Sequence, residues 1–349
     1  MLEKYAEMFK QLQAEKEQNT HTDINDKVLL IDGLNLYIRV HQNVPVLTDD
    51  GIHIGGISGF LLSLGSVIRQ FKPTRCIIVF DGKGGNSRRK KLYPGYKAGR
   101  TFKINPNRLE TFGHTEDQEL ESMKLQLQRL MQYFQSLPLT VISQDQVEAD
   151  DVISYIAGKL CKKEVIISST DKDFLHLVDE RTKVWSPVKK KLYDVDLVKS
   201  EWGVHPNNLV LARAFEGDSS DNIPGVKGVG LKTLIKRIPI VTEEVSIDPD
   251  AIFDFCTTQL NEGSKLKLFT NIVENKDIVN LNMRLMDLKL LEFSATTKSA
   301  VRQQYESTPP KLNFWTFKEQ YSLDKLYAGI PNLKSWLQHT FNHLTTFVK

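Results

Sequence analysis

Short apolar runs, each closed by polar or Gly-rich residues, recur through the first half of the chain. KVLLID (27–32), CIIVFD (76–81), LTVIS (139–143) and EVIIS (164–168) are continuous and rich in β-branched residues. That is the pattern of strands buried on both faces. Between them lie ISGFLLSLGSVIRQF (57–71), QELESMKLQLQRLMQYFQS (118–136) and ADDVISYIAGKLCK (149–162), which read as helices. Strands alternating with helices predict an α/β fold with a mostly parallel central sheet and flanking helices. In such sheets the functional crevice lies beyond the carboxyl ends of the strands. After about residue 196 helical segments dominate, joined by EGDSSDNIPGVKGVG (216–230).

The 349 residues are 40% hydrophobic and 26% charged, enough to bury a sizeable core. No apolar run approaches the roughly 20 residues that span a bilayer. The first twenty residues are charged throughout, without a signal-peptide core, and place Leu2, Tyr5, Phe9 and Leu12 near one face of a short helix. Cys76, Cys161 and Cys256 are far apart in apolar segments, which argues against a disulfide framework or zinc cluster and for a reducing compartment. Net charge is only +3, so its distribution matters more than its total.

The acids are distributed unevenly. The first strand ends in Asp32 and the second in Asp81. LTVIS leads to Glu148, Asp150 and Asp151, EVIIS leads to Asp171 and Asp173, and a later loop adds Asp218 and Asp221. In a parallel sheet the first seven converge on one edge. Any one group is explained by helix capping or turn chemistry. Capping does not require four successive strands to lead into acids. So many carboxylates in one crevice repel one another unless cations join them. A set without His or Cys suits hard ions such as Mg²⁺ or Mn²⁺. Two such ions about 4 Å apart serve phosphodiester hydrolysis.

Two further segments carry positive charge. From Lys83 to Arg108 there are nine Lys or Arg residues and no acid, with Tyr93, Tyr96 and Phe102 interleaved. Charges that track phosphates and rings that stack on bases suit single-stranded nucleic acid. Gly and Pro break the segment often enough to predict mobility when unbound. IPGVKGVGLKTLIKR (223–237) sets Gly225, Gly228 and Gly230 before a helix bearing Lys232, Lys236 and Arg237. This is either an ordinary turn or a backbone cradle for phosphate.

LLIDGLNLYIR, VFDGKG, VEADDVISYIA, ISSTDKDFLHLV and EGDSSDNIPGVKGVG, in that order, resemble the motifs of the flap endonuclease or 5′-nuclease family. That family includes stand-alone phage enzymes and the 5′-nuclease domain of bacterial DNA polymerase I. The similarity runs from about Lys27 to about Arg237. It implies a PIN-like core at 27–200 with a helical arch at about 83–117 and a helix-hairpin-helix region within 201–300. An N-terminal extension (1–26) and a C-terminal helical segment (301–349) remain without an assigned task. By resemblance Asp32, Asp81, Glu148 and Asp150 surround one Mg²⁺, for which Mn²⁺ can substitute. Asp171, Asp173 and Asp221 surround a second, with Asp218 nearby and Asp151 unassigned. YKAGR matches the arch motif, so Lys97 and Arg100 meet the scissile phosphate, Tyr96 stacks and Lys83 sits over the site. Arg88, Arg89, Gly225, Lys227, Gly228, Gly230, Lys232 and Lys236 are DNA-binding candidates, with K⁺ at the hairpin.

The implied activity is hydrolysis of DNA or RNA/DNA near single-to-double-strand junctions and from 5′ ends, removing primers or flaps in replication. The implied setting is the cytoplasm of a bacterial or phage-infected cell, as a monomer without a membrane. The C-terminal aromatics are a candidate contact for a single-strand-binding protein. QRLMQYF (128–134) is explained by a core helix face rather than a sliding-clamp motif. A PIN-like ribonuclease and a catalytically inactive DNA-structure binder are the alternatives. The first lacks arch and hairpin; the second binds forks without cutting them.

Overall fold

The computed structural model describes residues 23–99, 104, 106, 109 and 112–348. The amphipathic segment expected at the N-terminus, and Arg100, lie outside them. Six strands form one sheet: β1 (Lys27–Asp32), β2 (Arg75–Asp81), β3 (Thr140–Gln144), β4 (Glu164–Ser168), β5 (Thr182–Ser186) and β6 (Lys191–Tyr193). Their order is β3-β2-β1-β4-β5-β6. All pairs are parallel except β5–β6. The chain leaves β1 to build one side as β2 and β3, then returns to build the other, so the order switches beside β1.

Period-two side-chain alternation explains the continuous apolar strands. Val28, Leu30, Ile77, Val79, Val165 and Ile167 enter the core on one face of the sheet. Leu29, Ile31, Ile78, Phe80 and Ile166 enter the core on the other. The second face is covered by α1 (Gly33–Asn43), α2 (Gly55–Phe71) and α4 (Glu116–Phe134), reached through the short α3 (Ser87–Leu92). Thr115 and Gln118 close a capping box at the start of α4. Leu130, Tyr133 and Phe134 are core, as expected of 128–134. The helix expected over 149–162 is shorter: α5 (Ala149–Tyr155) gives way to a π-helical turn over Ile156–Leu160. β5 and β6 carry Lys, Thr and Ser at alternate positions and escaped a search for continuous apolar runs.

The C-terminal segment now has a structural task. α13 (Phe314–Leu323) and α14 (Leu333–Thr345) bring Phe317, Tyr321, Leu337 and Phe341 into the same core as β1 and β2. Asp324 between them accepts from Arg129 Nε at 2.6 Å and from Tyr133 Oη at 2.6 Å. Most of its aromatics are therefore spent on packing.

The helical region includes α6 (Val195–Trp202), α7 (Pro206–Glu216), α8 (Leu231–Arg237), α9 (Pro249–Asn261), α10 (Lys267–Glu274), α11 (Lys276–Met286) and α12 (Ala295–Glu306). The loop from α7 to α8 folds tightly back. A Cβ on Gly225 would come 2.0 Å from the Glu216 carbonyl oxygen, so only glycine fits there.

Candidate metal and phosphate site

The parallel strands deliver their acids as the sequence implies. Asp32 ends β1, and its Oδ1 accepts from Asn35 N (3.1 Å) while Oδ2 accepts from Ser169 Oγ (3.0 Å). Asp81 ends β2, and its Oδ1 accepts from Ala149 N at 2.7 Å, capping α5. The chain can turn there because Gly82 sits where a Cβ would lie 1.8 Å from the Gln144 carbonyl oxygen. Asp171 follows β4, and its Oδ1 accepts from Asp173 N at 2.8 Å. Capping and site formation are thus not alternatives. One oxygen of Asp81 caps α5 and one of Asp171 serves the local turn, and the other oxygen of each has no hydrogen-bond donor among the described residues.

Asp32, Asp81, Asp150 and Asp171 line one cleft of about 730 Å³, together with Lys97. Three of these four are electrostatically unrelieved. Burial, ahead of the Asp81 charge, pushes Asp32 up to about 6. Burial and the charge of Asp173 push Asp171 up to about 7. Burial, then Asp32 and Asp171, push Asp150 well up.

Glu148, Asp81 and Lys97 line an adjoining hollow with Lys90. Burial would raise Glu148, but Arg89 and Lys97 hold it below the usual range. Lys97 Nζ lies 2.6 Å from Glu148 Oε1, and its backbone N donates to Asp221 O at 2.8 Å. Lys97 has φ +54°, a left-handed backbone.

Asp151, Asp173 and Asp218 are already paired with cations of the protein. Asp151 receives Arg89 at both oxygens, at 2.8 Å each. Arg213 pairs with Asp173 and, at 2.5 Å, with Asp218. Asp218 also accepts from Ser220 N and lies 3.1 Å from Lys172 Nζ. These donors override burial and hold Asp218 at about 2. Neither Asp151, Asp173 nor Asp218 lines the cleft, so the expected convergence of seven acids on one edge resolves into two groups.

Three expectations from the basic segment change. Arg89 is 3% exposed, bonded to Glu148 and Asp151 and, through Nε, to Leu285 O at 2.8 Å. Its guanidinium is a buried tie, not a phosphate contact. Tyr96 is 4% exposed, with Oη 3.4 Å from Glu148 Oε1, and offers no face for stacking. Residues 87–92 form α3, so that part of the segment has regular structure. Lys83 is exposed after β2 and lines neither hollow. Arg88 pairs with Glu292 at 3.0 Å.

At the hairpin Lys227, Gly228, Lys232 and Lys236 are exposed, the two latter one turn apart on α8. Gly228 has φ +79°. Gly225 and Gly230 bracket the loop, but Leu231 N donates to Glu216 Oε1 at 3.1 Å. The start of α8 is therefore partly filled by a carboxylate, and the backbone at Gly228 with the three lysines is the part left exposed. Sequence reading missed Lys90, Arg39, Lys189 and Arg213. The first lay unremarked in the basic run, and nothing local marks the others.

Among the described residues no three His, Cys, Asp or Glu side chains already converge to hold a metal ion. The chemistry of the cleft nonetheless fits a hard cation. Its lining carries carboxylates and neutral oxygens but no His or Cys, and the raised proton affinity of Asp32, Asp150 and Asp171 marks negative charge that the protein does not balance.

The chain is similar to several known proteins. Residues 27–203 match the 5′-3′ exonuclease, N-terminal resolvase-like domain. DNA polymerase I of Rhizobium leguminosarum is 29% identical over 275 residues, 76% of this chain but 24% of that protein. The chain thus spans about a quarter of that relative's length. Flap endonuclease Xni of Shewanella frigidimarina is 34% identical over 272 residues, 76% of this chain and 92% of the relative. A solved structure of T5 5′-exonuclease with bound divalent metal ions (zinc) has a TM-score of 0.56 at 21% identity, covering 87% of this chain and 99% of that one. At that identity the likeness establishes a shared fold. With half of the chain matched by the family's domain and nearly all of a flap endonuclease aligned, the chain belongs to the 5′-3′ exonuclease family.

Proposed function

We propose that the chain is a divalent-metal-dependent, structure-specific 5′-nuclease. It hydrolyses phosphodiester bonds of DNA or RNA/DNA near single-to-double-strand junctions, and removes primers or flaps in replication. The observation that carries this reading is the sharing of one cleft by four carboxylates and Lys97.

When bound, two Mg²⁺ ions, or Mn²⁺ in their place, supply the positive charge that an in-line phosphoryl displacement needs. Asp32, Asp81, Glu148 and Asp150 are the residues for one ion, and Asp171, Asp221 and, once it exchanges its Arg213 pair for metal, Asp173 for the other, with Asp151 and Asp218 beside them. Asn35 and Ser169 fix the Asp32 carboxylate through its two oxygens. Lys97, already in the cleft, contributes a cation to the scissile phosphate, an electrostatic role. Arg100 belongs to the same arch motif and joins it. The 223–237 hairpin grips duplex backbone without reading sequence, with K⁺ at the hairpin. The protein acts as a monomer in the cytoplasm.

The test is a 5′-labelled flap duplex incubated with Mg²⁺ or with chelator. Cleavage near the junction only with Mg²⁺ supports the reading. Binding without cleavage at any metal concentration moves it to a structural DNA binder, and cleavage of single-stranded RNA alone to a ribonuclease.

A further inference from the structure

Lys97 enters the cleft on a backbone that its own residue type does not favour. The β5–β6 hairpin walls the cleft through Ser186, Val188 and Lys189, and Lys97 reaches it from the turn after α3. That turn is closed by Ala98 N, which donates to Gly95 O at 2.9 Å. Inside it Lys97 has φ +54°, a left-handed conformation that a residue with a Cβ rarely adopts. Such a residue persists only where its neighbours hold it. Glu148 holds the far end of the side chain, with Oε1 2.6 Å from Nζ, and leaves the backbone to be fixed by something else.

That hold comes from the loop after α7. Lys97 N donates to Asp221 O at 2.8 Å, and Asn222 Nδ2 donates to Gly95 O at 2.8 Å, from 127 residues along the chain. Two hydrogen bonds of opposite direction thus join the turn to the loop. A carbonyl oxygen has two lone pairs, so Gly95 O serves Ala98 and Asn222 together. Asn222 is itself left-handed, at φ +56°, which asparagine tolerates better than most residues. Its loop is a firm frame. Asp218 and Ile223 exchange backbone hydrogen bonds at 2.9 and 2.8 Å across its base. Tyr96, from the turn, and Ile223, from the loop, are buried in one small core with Val210, Leu285 and Met286.

We propose that Asn222 is a positioning residue for Lys97: its side-chain amide holds the Gly95–Ala98 turn, so that the lysine's ammonium stands where the scissile phosphate binds. Asn222 acts through the lysine and not through the metal, although its neighbour Asp221 is a candidate for the second ion. The assignment rests on the 5′-nuclease reading.

The test measures kcat and KM for Mg²⁺-dependent cleavage of a 5′-labelled flap duplex, and flap binding by fluorescence anisotropy in chelator. Asn222→Gly removes the amide and keeps a residue at ease at positive φ, and position 222 is exposed, so the fold is kept. It is expected to lower kcat about tenfold and to leave KM and binding within about twofold of wild type. Asn222→Asp sets a carboxylate oxygen against the Gly95 carbonyl and should lose at least as much. In a Lys97→Ala background Asn222→Gly should cost less than about twofold further, because both remove the same contribution. The Mg²⁺ concentration that gives half the maximal rate should not rise. A wild-type rate in Asn222→Gly, a loss that falls on KM instead of kcat, an equal loss in the Lys97→Ala background, or a raised Mg²⁺ requirement overturns the assignment. A wild type that binds the flap and cuts it with no metal overturns the 5′-nuclease reading itself, and the assignment with it.

Discussion

Two groups of acids, similar in sequence, live under opposite electrostatic rules. Asp32, Asp150 and Asp171 crowd into a cleft where burial and mutual repulsion raise their proton affinity. Asp151, Asp173 and Asp218 meet Arg89, Arg213 and Lys172, cations of the protein itself. The first group waits for charge from outside; the second is a set of internal ties. What separates them is the position of three basic side chains from α3, α7 and the loop after β4.

The largest expected effect is on chemistry. Asp150→Asn should cut flap cleavage by about a thousandfold or more while DNA binding in chelator stays within about twofold. Near-wild-type turnover would remove the cleft from the mechanism. Lys97→Ala should lower cleavage by about a hundredfold, as the loss of one preorganised electrostatic donor does. An unchanged rate would leave Lys97 as a packing residue.

The contrast between the groups is sharper in stability. Asp218→Asn removes a buried partner of Arg213 and should destabilise the metal-free protein by about 3 kcal/mol. Asp150→Asn relieves repulsion and should stabilise it. Urea denaturation in chelator reads both, and shifts of the same sign would break the comparison.

The smallest effect is a pH slope. Asp32 and Asp171 bind protons more tightly folded than unfolded, so their contribution to stability is full below about pH 4 and is lost as pH rises through about 6 to 7. Asp218, held at about 2, contributes in the opposite sense, and its contribution is lost only in strong acid. Metal-free protein should therefore lose stability between pH 5 and pH 8, and saturating Mg²⁺ should flatten that slope. A flat profile in chelator would mean that the cleft acids are relieved by a route other than metal.

Much of this was legible in the chain. Continuous β-branched runs located β1 to β4 within one residue, because a strand buried on both faces can hold little else. β5 and β6, at the sheet's polar edge, left no such run. The acids were legible as a set because parallel strands bring their carboxyl ends together. Their division was not, because Arg213 lies 40 residues from Asp173 and Arg89 lies 62 from Asp151. The basic run misled for the same reason: composition cannot tell an exposed arginine from a buried one.

The sequence by itself determined the strand cores, the places of the glycine turns at 82 and 225 and the list of acids, since each is read from consecutive residues of the chain. Only the tertiary structure decided which acids remain uncompensated, that the C-terminal aromatics close the core, and that the β5–β6 hairpin forms a wall of the cleft. Those outcomes depend on distances between side chains far apart in the chain, where charge and packing are settled by neighbours that no local pattern records.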